Sequence, residues 1–244
     1  MIVAVAAMDR DALIATLRRE GITDETVLAA MSAVPRERFV DDVYLAKAWE
    51  NHPLPIGAGQ TISQPLVVAA MTAALGVGPG DVVLDVGTGS GYQAAVLAEL
   101  GCRVWGIEWV PELAARASAV LTDVGLDVDV VVGDGRLGLP ECAPFDAILV
   151  AAASETVPPA LLDQLRRPPV GRSVSQGVGD SGQDVAGAGT GGRLVLPLAD
   201  EQGRQRLVLI TRTSTGFLEE ELFGVRFVPL LGSDDPPVEW PRGE

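Results

Sequence analysis

Histidine and cysteine are scarce in this sequence of 244 residues, which contains one histidine, His52, and two cysteines, Cys102 and Cys142. Transition-metal sites need several of these side chains at short, paired spacings, and no such pairing is present. We therefore expect no metal site. Both cysteines fall in or beside segments that we predict to be buried, where a free cysteine is commonly a small apolar side chain.

Basic residues are also few, with 18 Lys and Arg against 33 Asp and Glu, which gives a formal net charge of −15. Binding of nucleic acid through its phosphates needs clustered Lys and Arg, so we expect no nucleic-acid partner. A carboxylate substrate is not excluded, because a local group of donors can bind an anion against the overall field.

We expect neither a membrane span nor a signal peptide in the first residues of this sequence. Residues 1–8 are apolar, but the segment is short, lacks a basic start and runs directly into Asp-Arg-Asp at 9–11. We expect a cytoplasmic protein without a membrane partner. Its apolar content of 48% and charged content of 21% are those of a globular chain, long enough for one α/β domain.

A glycine-rich loop organises the chain at residues 81–92, Asp-Val-Val-Leu-Asp-Val-Gly-Thr-Gly-Ser-Gly-Tyr. The apolar half predicts a buried strand, and the glycines permit a tight turn on which a ligand can lie directly against the main chain. A second apolar segment, 102–108, ends in Glu108 about twenty residues after the loop, the spacing at which a carboxylate binds the hydroxyls of a ribose. Together these features predict a nucleoside pocket.

The position of Tyr92 indicates which nucleoside this is. Tyr92 stands where a dinucleotide fingerprint requires its third Gly or Ala, which disfavours an NAD-dependent oxidoreductase. With Asp85 just before it, the loop resembles the S-adenosylmethionine loop of class I methyltransferases. A structural turn without a ligand is the alternative.

Apolar periodicity predicts alternating helices and strands. Strands that alternate with helices form a parallel sheet, with ligands bound beyond the carboxyl ends of the strands, where Gly87, Glu108 and Asp134 would meet. A charged turn at 200–204 predicts an antiparallel hairpin at one edge. The predicted helices are 9–20, 23–35, 66–75, 93–100 and one from Pro111, and the further strands are 129–132, 146–151, 193–197, 206–211 and 220–230.

The segment 51–65, rich in Pro and Gly, reads as a loop that leads into the helix 66–75. Pro65 belongs in the first turn of that helix, which places Ser63 or Gln64 at its cap. A hydroxyl would then lie at a helix N-terminus, where an anion is favoured.

Several motifs, in order and spacing, resemble the protein-L-isoaspartate O-methyltransferase family. The most specific is Pro-Leu-Pro-Ile-Gly-Ala-Gly-Gln-Thr-Ile-Ser-Gln-Pro at 53–65. The resemblance runs from about residue 30 to residue 231 and implies a doubly wound α/β fold of the class I methyltransferase, Rossmann-like type, with a mostly parallel sheet, helices on both faces and an antiparallel edge at the C-terminal end. The other matching segments are 34–40, 85–92, 133–135, 145–153 with 157–158, and 225–230.

The resemblance implies an enzyme that transfers a methyl group from S-adenosylmethionine to the α-carboxylate of L-isoaspartyl residues in damaged proteins and peptides. S-Adenosylhomocysteine is the product, and the methyl ester closes to a succinimide, which starts repair. The acceptor carboxylate is already a nucleophile, so alignment and exclusion of water would carry the acceleration without a strong base. We expect a monomer.

The resemblance also implies the site residues. Ser63 occupies the family's catalytic position and would hold the isoaspartyl carboxylate, with an ordinary helix cap as the alternative. Glu108 would bind the ribose, Asp134 the adenine amino edge and Trp109 the adenine face, while Asp85 would brace the loop or reach the methionine ammonium. The predicted cofactor-binding set is Gln60, Thr61, Ile62, Asp85, Gly87, Thr88, Gly89, Ser90, Gly91, Glu108, Trp109, Asp134 and Gly135, and the substrate-binding set is Ile62, Ser63, Val228 and Pro229.

We expect one domain over residues 1–231, made of an N-terminal part (1–75) and a Rossmann-like core (76–231), followed by a flexible tail (232–244). Residues 166–190 depart from the family pattern and predict a disordered surface insertion. Segment 225–230 resembles the part of the family that lies along the bound peptide, although a core strand is equally compatible. Two alternatives stay open: a different carboxylate acceptor, or a non-catalytic cofactor-binding homologue in which the insertion has displaced a neighbouring strand.

Overall fold

The computed structural model describes residues 9–169 and 191–233. Residues 170–190 and 234–244, which hold most of the predicted insertion and tail, lie outside the described residues. None of the helices within the described ranges is long and apolar enough to cross a membrane.

Apart from the last strand, the predicted helices and strands are confirmed, with ends within two residues of those expected. The helices are α1 (Arg10–Arg19), α2 (Glu25–Ala33), α3 (Pro65–Leu75), α4 (Tyr92–Glu99), α5 (Pro111–Asp123) and α6 (Pro159–Gln164). The strands are β1 (Leu54–Gly57), β2 (Gln60–Ile62), β3 (Val82–Val86), β4 (Arg103–Glu108), β5 (Val128–Val132), β6 (Ala147–Val150), β7 (Arg193–Ala199), β8 (Gln205–Arg212) and β9 (Phe217–Val225).

Seven of these strands form one sheet in the order β5-β4-β3-β6-β7-β8-β9. The first five strands in this order pair in parallel. Strands β8 and β9 join them at one edge in antiparallel orientation, and the charged turn at 200–204 predicts the hairpin of β7 and β8. The doubly wound α/β architecture expected from the sequence is therefore confirmed. Its crossovers bring the carboxyl ends of β3, β4 and β5 to a common edge.

Alternate residues of the central strands enter two separate hydrophobic cores. On β3, Val83 belongs to the larger core, which includes side chains of α1 to α5. Leu84 and Val86 belong to the smaller core, which includes Leu161 of α6 and Phe145. The sheet is thus covered on both faces, which explains the continuous apolar runs in its central strands.

Residues 51–65 differ from the loop that we predicted, because they contain the antiparallel hairpin β1–β2. Leu54, Ile56 and Ile62 point into the core and are almost fully buried. The turn between the strands needs positive φ angles, which Gly57 and Gly59 supply at 92° and 65°. The hairpin fixes the position of the residues that follow β2.

The predicted strand 220–230 was wrong at both ends, because β9 starts at Phe217 and ends at Val225. Val225 pairs with Gln205, the first residue of β8, and residues 226–231 make no further pair with β8; Pro229 instead forms a single bridge to Ala153. The chain turns back across the carboxyl end of β6 instead. We call residues 226–231 the C-terminal segment.

The described ends of the insertion lie next to each other. Arg166 N donates to Phe145 O at 2.7 Å, and Gly192 N donates to Arg166 O at 2.8 Å. Residues 166 and 192 therefore meet at one place beside β6, and β7 is paired with β6 in its expected position. This pairing contradicts the alternative in which the insertion displaces a neighbouring strand.

Candidate active site

A cavity opens at the carboxyl ends of β3 and β4, with an empty volume of about 760 Å³ including its mouth. Its walls come from the end of the hairpin, the glycine loop, the end of β4 and the C-terminal segment. We call it the donor cavity. The predicted site residues that line it are Gln60, Thr61, Ile62, Ser63, Gly87, Thr88, Gly89, Ser90, Glu108, Trp109, Gly135, Val228 and Pro229.

The glycine loop and Glu108 form one hydrogen-bonded unit. Gly89 N donates to Glu108 Oε2 at 2.8 Å, and Val110 N donates to Oε1 at 2.9 Å. Gly87, Gly89 and Gly91 all have positive φ, between 56° and 89°, which a side chain would disfavour. Each carboxylate oxygen keeps acceptor capacity beyond these bonds, so Glu108 can bind a pair of hydroxyls without breaking the loop.

Asp85 lies beneath this loop and is fully buried, outside the cavity lining. Neither of its carboxylate oxygens has a hydrogen-bond partner among the described residues. Burial, and then the nearby Glu108, raises the pKa of Asp85 to about 7. The loop is braced here by the main chain, because Thr88 Oγ1 donates to Asp85 O at 3.0 Å. The carboxyl group itself is an unpaired buried acceptor.

Asp134 is also outside the lining, although Gly135 is within it. Its carboxylate accepts hydrogen bonds from the main chain and guanidinium of Arg136 and from Ser233. These contacts, led by Arg136, lower the pKa of Asp134 to about 2. A Cβ on Gly135 would lie 2.4 Å from Val86 Cγ1, so this turn packs directly on β3.

Ser63 lies at the mouth of the donor cavity and is held by Arg36. Arg36 is fully buried, and its Nη2 donates to Ser63 O at 2.8 Å while its Nε donates to Ala48 O at 2.9 Å. Its guanidinium carbon lies 4.5 Å from the centre of the Tyr92 ring. Burial lowers the pKa of Arg36. Sequence reasoning missed this role, although a charged residue in the segment 34–40 that matches the family was a usable signal.

The cap of α3 is at one of the two predicted positions, with Pro65 in the first turn as expected, but its capping bond comes from another residue. Gln64 is the N-cap residue but makes no capping bond with its side chain, and Asn51 Oδ1 accepts from Leu66 N at 3.0 Å instead. The next amides, of Val67 and Val68, donate to Gln64 O. The helix end therefore has its first donors occupied, and the alternative in which Ser63 serves as the helix cap was wrong.

A second, open cavity of about 2020 Å³ adjoins the first. We call it the acceptor groove. Thr61, Ser63, Ala151 and Val228 line both spaces, so the two meet at Ser63. Its further lining comes from the start of α3, the turn before β8, and residues 223–227.

The C-terminal segment forms the wall between the two cavities. Ala153 N donates to Val228 O at 2.8 Å, and Leu230 N donates to Ala153 O at 2.7 Å. The side-chain amide of Gln205 binds the main chain of Phe227 at both its N–H and its C=O. These bonds fix Val228 and Pro229 against the donor cavity, where the sequence places substrate contacts.

The comparisons with known proteins agree with this geometry. The model of the family protein-L-isoaspartate(D-aspartate) O-methyltransferase matches residues 8–183. A Gloeobacter violaceus protein-L-isoaspartate O-methyltransferase is 47% identical over 215 residues, which cover 88% of this chain and 94% of the relative. An Anaeromyxobacter dehalogenans protein of the same name is 49% identical over 213 residues, 86% and 91% of the two chains.

Solved structures show the same fold. A protein-L-isoaspartate O-methyltransferase matches 92% of this chain with a TM-score of 0.76 at 25% identity, and this chain covers 66% of that longer protein. A Plasmodium falciparum protein assigned to the same activity, solved with S-adenosyl-L-homocysteine, matches 92% of this chain and 99% of its own, with a TM-score of 0.73 at 24% identity.

Proposed function

This chain belongs to the protein-L-isoaspartate(D-aspartate) O-methyltransferase family, and we infer that it transfers a methyl group from S-adenosylmethionine to the α-carboxylate of L-isoaspartyl residues. The observation that carries this function is the meeting of two cavities at Ser63, one built on a glycine loop with Glu108 and one open to a peptide. The methyl ester then closes to a succinimide, which starts the repair of the damaged protein.

The residues of the donor cavity fit the methyl donor. Glu108 has acceptor sites left for two ribose hydroxyls, and Gly135, whose turn packs on Val86, lines the same cavity. A positively charged ligand above the loop favours the ionised form of the buried carboxyl group of Asp85, whose pKa is raised to about 7. When bound, S-adenosylmethionine supplies an electrophilic methyl group and becomes S-adenosylhomocysteine.

We propose that Ser63 donates a hydrogen bond to the acceptor carboxylate and aims one of its oxygens at the donor cavity. The carboxylate is ionised at neutral pH, so no side chain has to remove a proton, and alignment provides the acceleration. Arg36 keeps Ser63 in place through its bond to the main-chain oxygen. Burial of the reacting groups between the hairpin and the C-terminal segment excludes water.

The remaining predicted roles belong to this proposal. Glu108 binds the ribose, Trp109 covers the adenine, and the Asp134–Gly135 turn meets the adenine edge, with Asp134 held by Arg136. Asp85 acts on the donor's charged amino group across the loop. Further contacts of the donor come from Gln60, Thr61, Ile62, Gly87, Thr88, Gly89, Ser90 and Gly91, and those of the acceptor from Ile62, Val228 and Pro229.

We also propose that residues 1–231 work as one domain and that the protein acts as a monomer in the cytoplasm. Its substrates are proteins and peptides that contain isoaspartate. The net charge of −15 supports the absence of a nucleic-acid partner.

The test is transfer of a labelled methyl group from S-adenosylmethionine to two peptides that differ only in an isoaspartyl or an aspartyl linkage. We expect label on the isoaspartyl peptide alone. Equal labelling of both peptides would point to a different acceptor. Binding of the donor without label on either peptide would support the non-catalytic alternative.

A further inference from the structure

The acceptor groove has a charge pattern opposite to that of the whole protein. Among the residues that the structure describes, the charged ones in its lining are two arginines, Arg204 and Arg226, and none is an aspartate or glutamate. The chain as a whole has a net charge of −15. A positive electrostatic potential in this groove, on a protein that is negative overall, favours ligands that carry negative charge.

The two arginines differ in how far their charge is compensated. Arg204 binds Asp200, with its Nε at 2.8 Å and its Nη2 at 2.8 Å from Oδ2, within the turn before β8. Arg226 is exposed and has no hydrogen bond or ion pair to any other residue in the described ranges 9–169 and 191–233. Arg226 therefore supplies the uncompensated positive charge of the groove.

The backbone around Arg226 is fixed by hydrogen bonds, while its side chain makes none to the described part of the chain. Gln205 binds both main-chain groups of Phe227, the next residue, and Ala153 binds Val228 O. Arg226 precedes Val228, a residue of both cavities, by two positions, and extended chain rises about 3.3 Å per residue. Arg226 is thus within reach of residues one to three positions away from an isoaspartate held at Ser63.

We propose that Arg226 is a specificity residue that favours isoaspartyl peptides with an aspartate or glutamate close to the damaged residue. This inference rests on the function proposed above and concerns the choice among its substrates. The neighbouring carboxylate pairs with the exposed guanidinium at the edge of the groove. Because exposed ion pairs contribute modestly, the expected preference for an acidic over a neutral neighbour is about two- to fivefold in kcat/KM.

The experiment uses three isoaspartyl peptides with blocked termini that carry Glu, Gln or Lys two residues after the isoaspartate. We expect the wild type to prefer them in the order Glu, Gln, Lys, and added salt to reduce the differences. In Arg226→Gln the kcat/KM for the Glu peptide divided by the kcat/KM for the Gln peptide should fall close to one. Ratios within one variant are insensitive to the amount of folded enzyme.

Arg206→Gln is the matched control. Arg206 lies on β8, pairs with Glu219 and Glu221, and is absent from the lining of both cavities. Its ratios should equal those of the wild type. An equal rate for all three peptides in the wild type, or a preference that survives in Arg226→Gln, would overturn the assignment of Arg226 while the repair function stands. No transfer to any of the three would overturn both.

Discussion

Replacing Asp85 by asparagine should change how the free energy of unfolding depends on pH. Asp85 is fully buried, its carboxyl group has no hydrogen-bond partner within the described ranges, and burial together with Glu108 raises its pKa from 3.8 to about 7. The folded protein then keeps a proton on this carboxyl group that the unfolded chain releases. Its stabilising contribution is complete below about pH 4, decreases as the pH rises and is lost above about pH 7.

The size of the effect follows from the two pKa values. Between about pH 5 and about pH 8 this one group should remove about 2 to 3 kcal/mol from the free energy of unfolding. Asparagine has the same shape and no charge, so Asp85→Asn should lack this loss. Relative to the wild type, the variant should therefore gain about 2 to 3 kcal/mol on going from the lower to the higher pH.

Urea unfolding followed by tryptophan fluorescence at both pH values measures this difference. Asp127→Asn, which removes one exposed carboxylate before β5, controls for the change in net charge. The reasoning is refuted if the wild type and Asp85→Asn lose stability in parallel between the two pH values. A larger gain in Asp127→Asn than in Asp85→Asn would refute it equally.

Two further variants test how the site is held. Glu108→Gln places an amide where two main-chain N–H groups need acceptors, so the affinity for S-adenosylhomocysteine, measured by calorimetry, should fall about tenfold or more. Unchanged affinity would exclude Glu108 from the ribose site. Lysine in Arg36→Lys cannot reproduce the two hydrogen bonds of the guanidinium to Ala48 O and Ser63 O. We expect kcat to fall while the affinity for S-adenosylhomocysteine is retained. A kcat equal to that of the wild type would contradict a positioning role for Arg36.

Local patterns in the sequence were sufficient for the strands of the sheet before β9 and for the glycine loop with Glu108 in the donor cavity. The strand before Gly87 and the strand ending in Glu108 are apolar runs with clear ends, and their spacing alone predicts a nucleoside pocket. The side chain that caps α3 and the support of Ser63 were not predictable in this way. Asn51 binds an amide 15 residues away and Arg36 a carbonyl 27 residues away, and such contacts depend on how the hairpin packs.

The same limit applies to the C-terminal end. The apolar and charged residues at 220–230 suggest a strand, but pairing with β8 stops at Gln205. The side-chain amide of Gln205 then accepts from Phe227 N and donates to Phe227 O, which holds the chain in its new direction. One of the hydrogen-bond donors to Asp134 is also distant in the sequence, because Ser233 lies 99 residues away. Motif resemblance identified these residues as functional without showing what they contact.

The most direct measurement concerns Ser63, where the donor cavity and the acceptor groove meet. We would compare Ser63→Ala with Ser118→Ala, a serine of α5 that lines neither cavity, for methyl transfer to an isoaspartyl peptide and for binding of S-adenosylhomocysteine. We predict that Ser63→Ala loses about tenfold or more in kcat/KM while binding of S-adenosylhomocysteine is retained. Wild-type transfer by Ser63→Ala would contradict the claim that Ser63 orients the acceptor carboxylate.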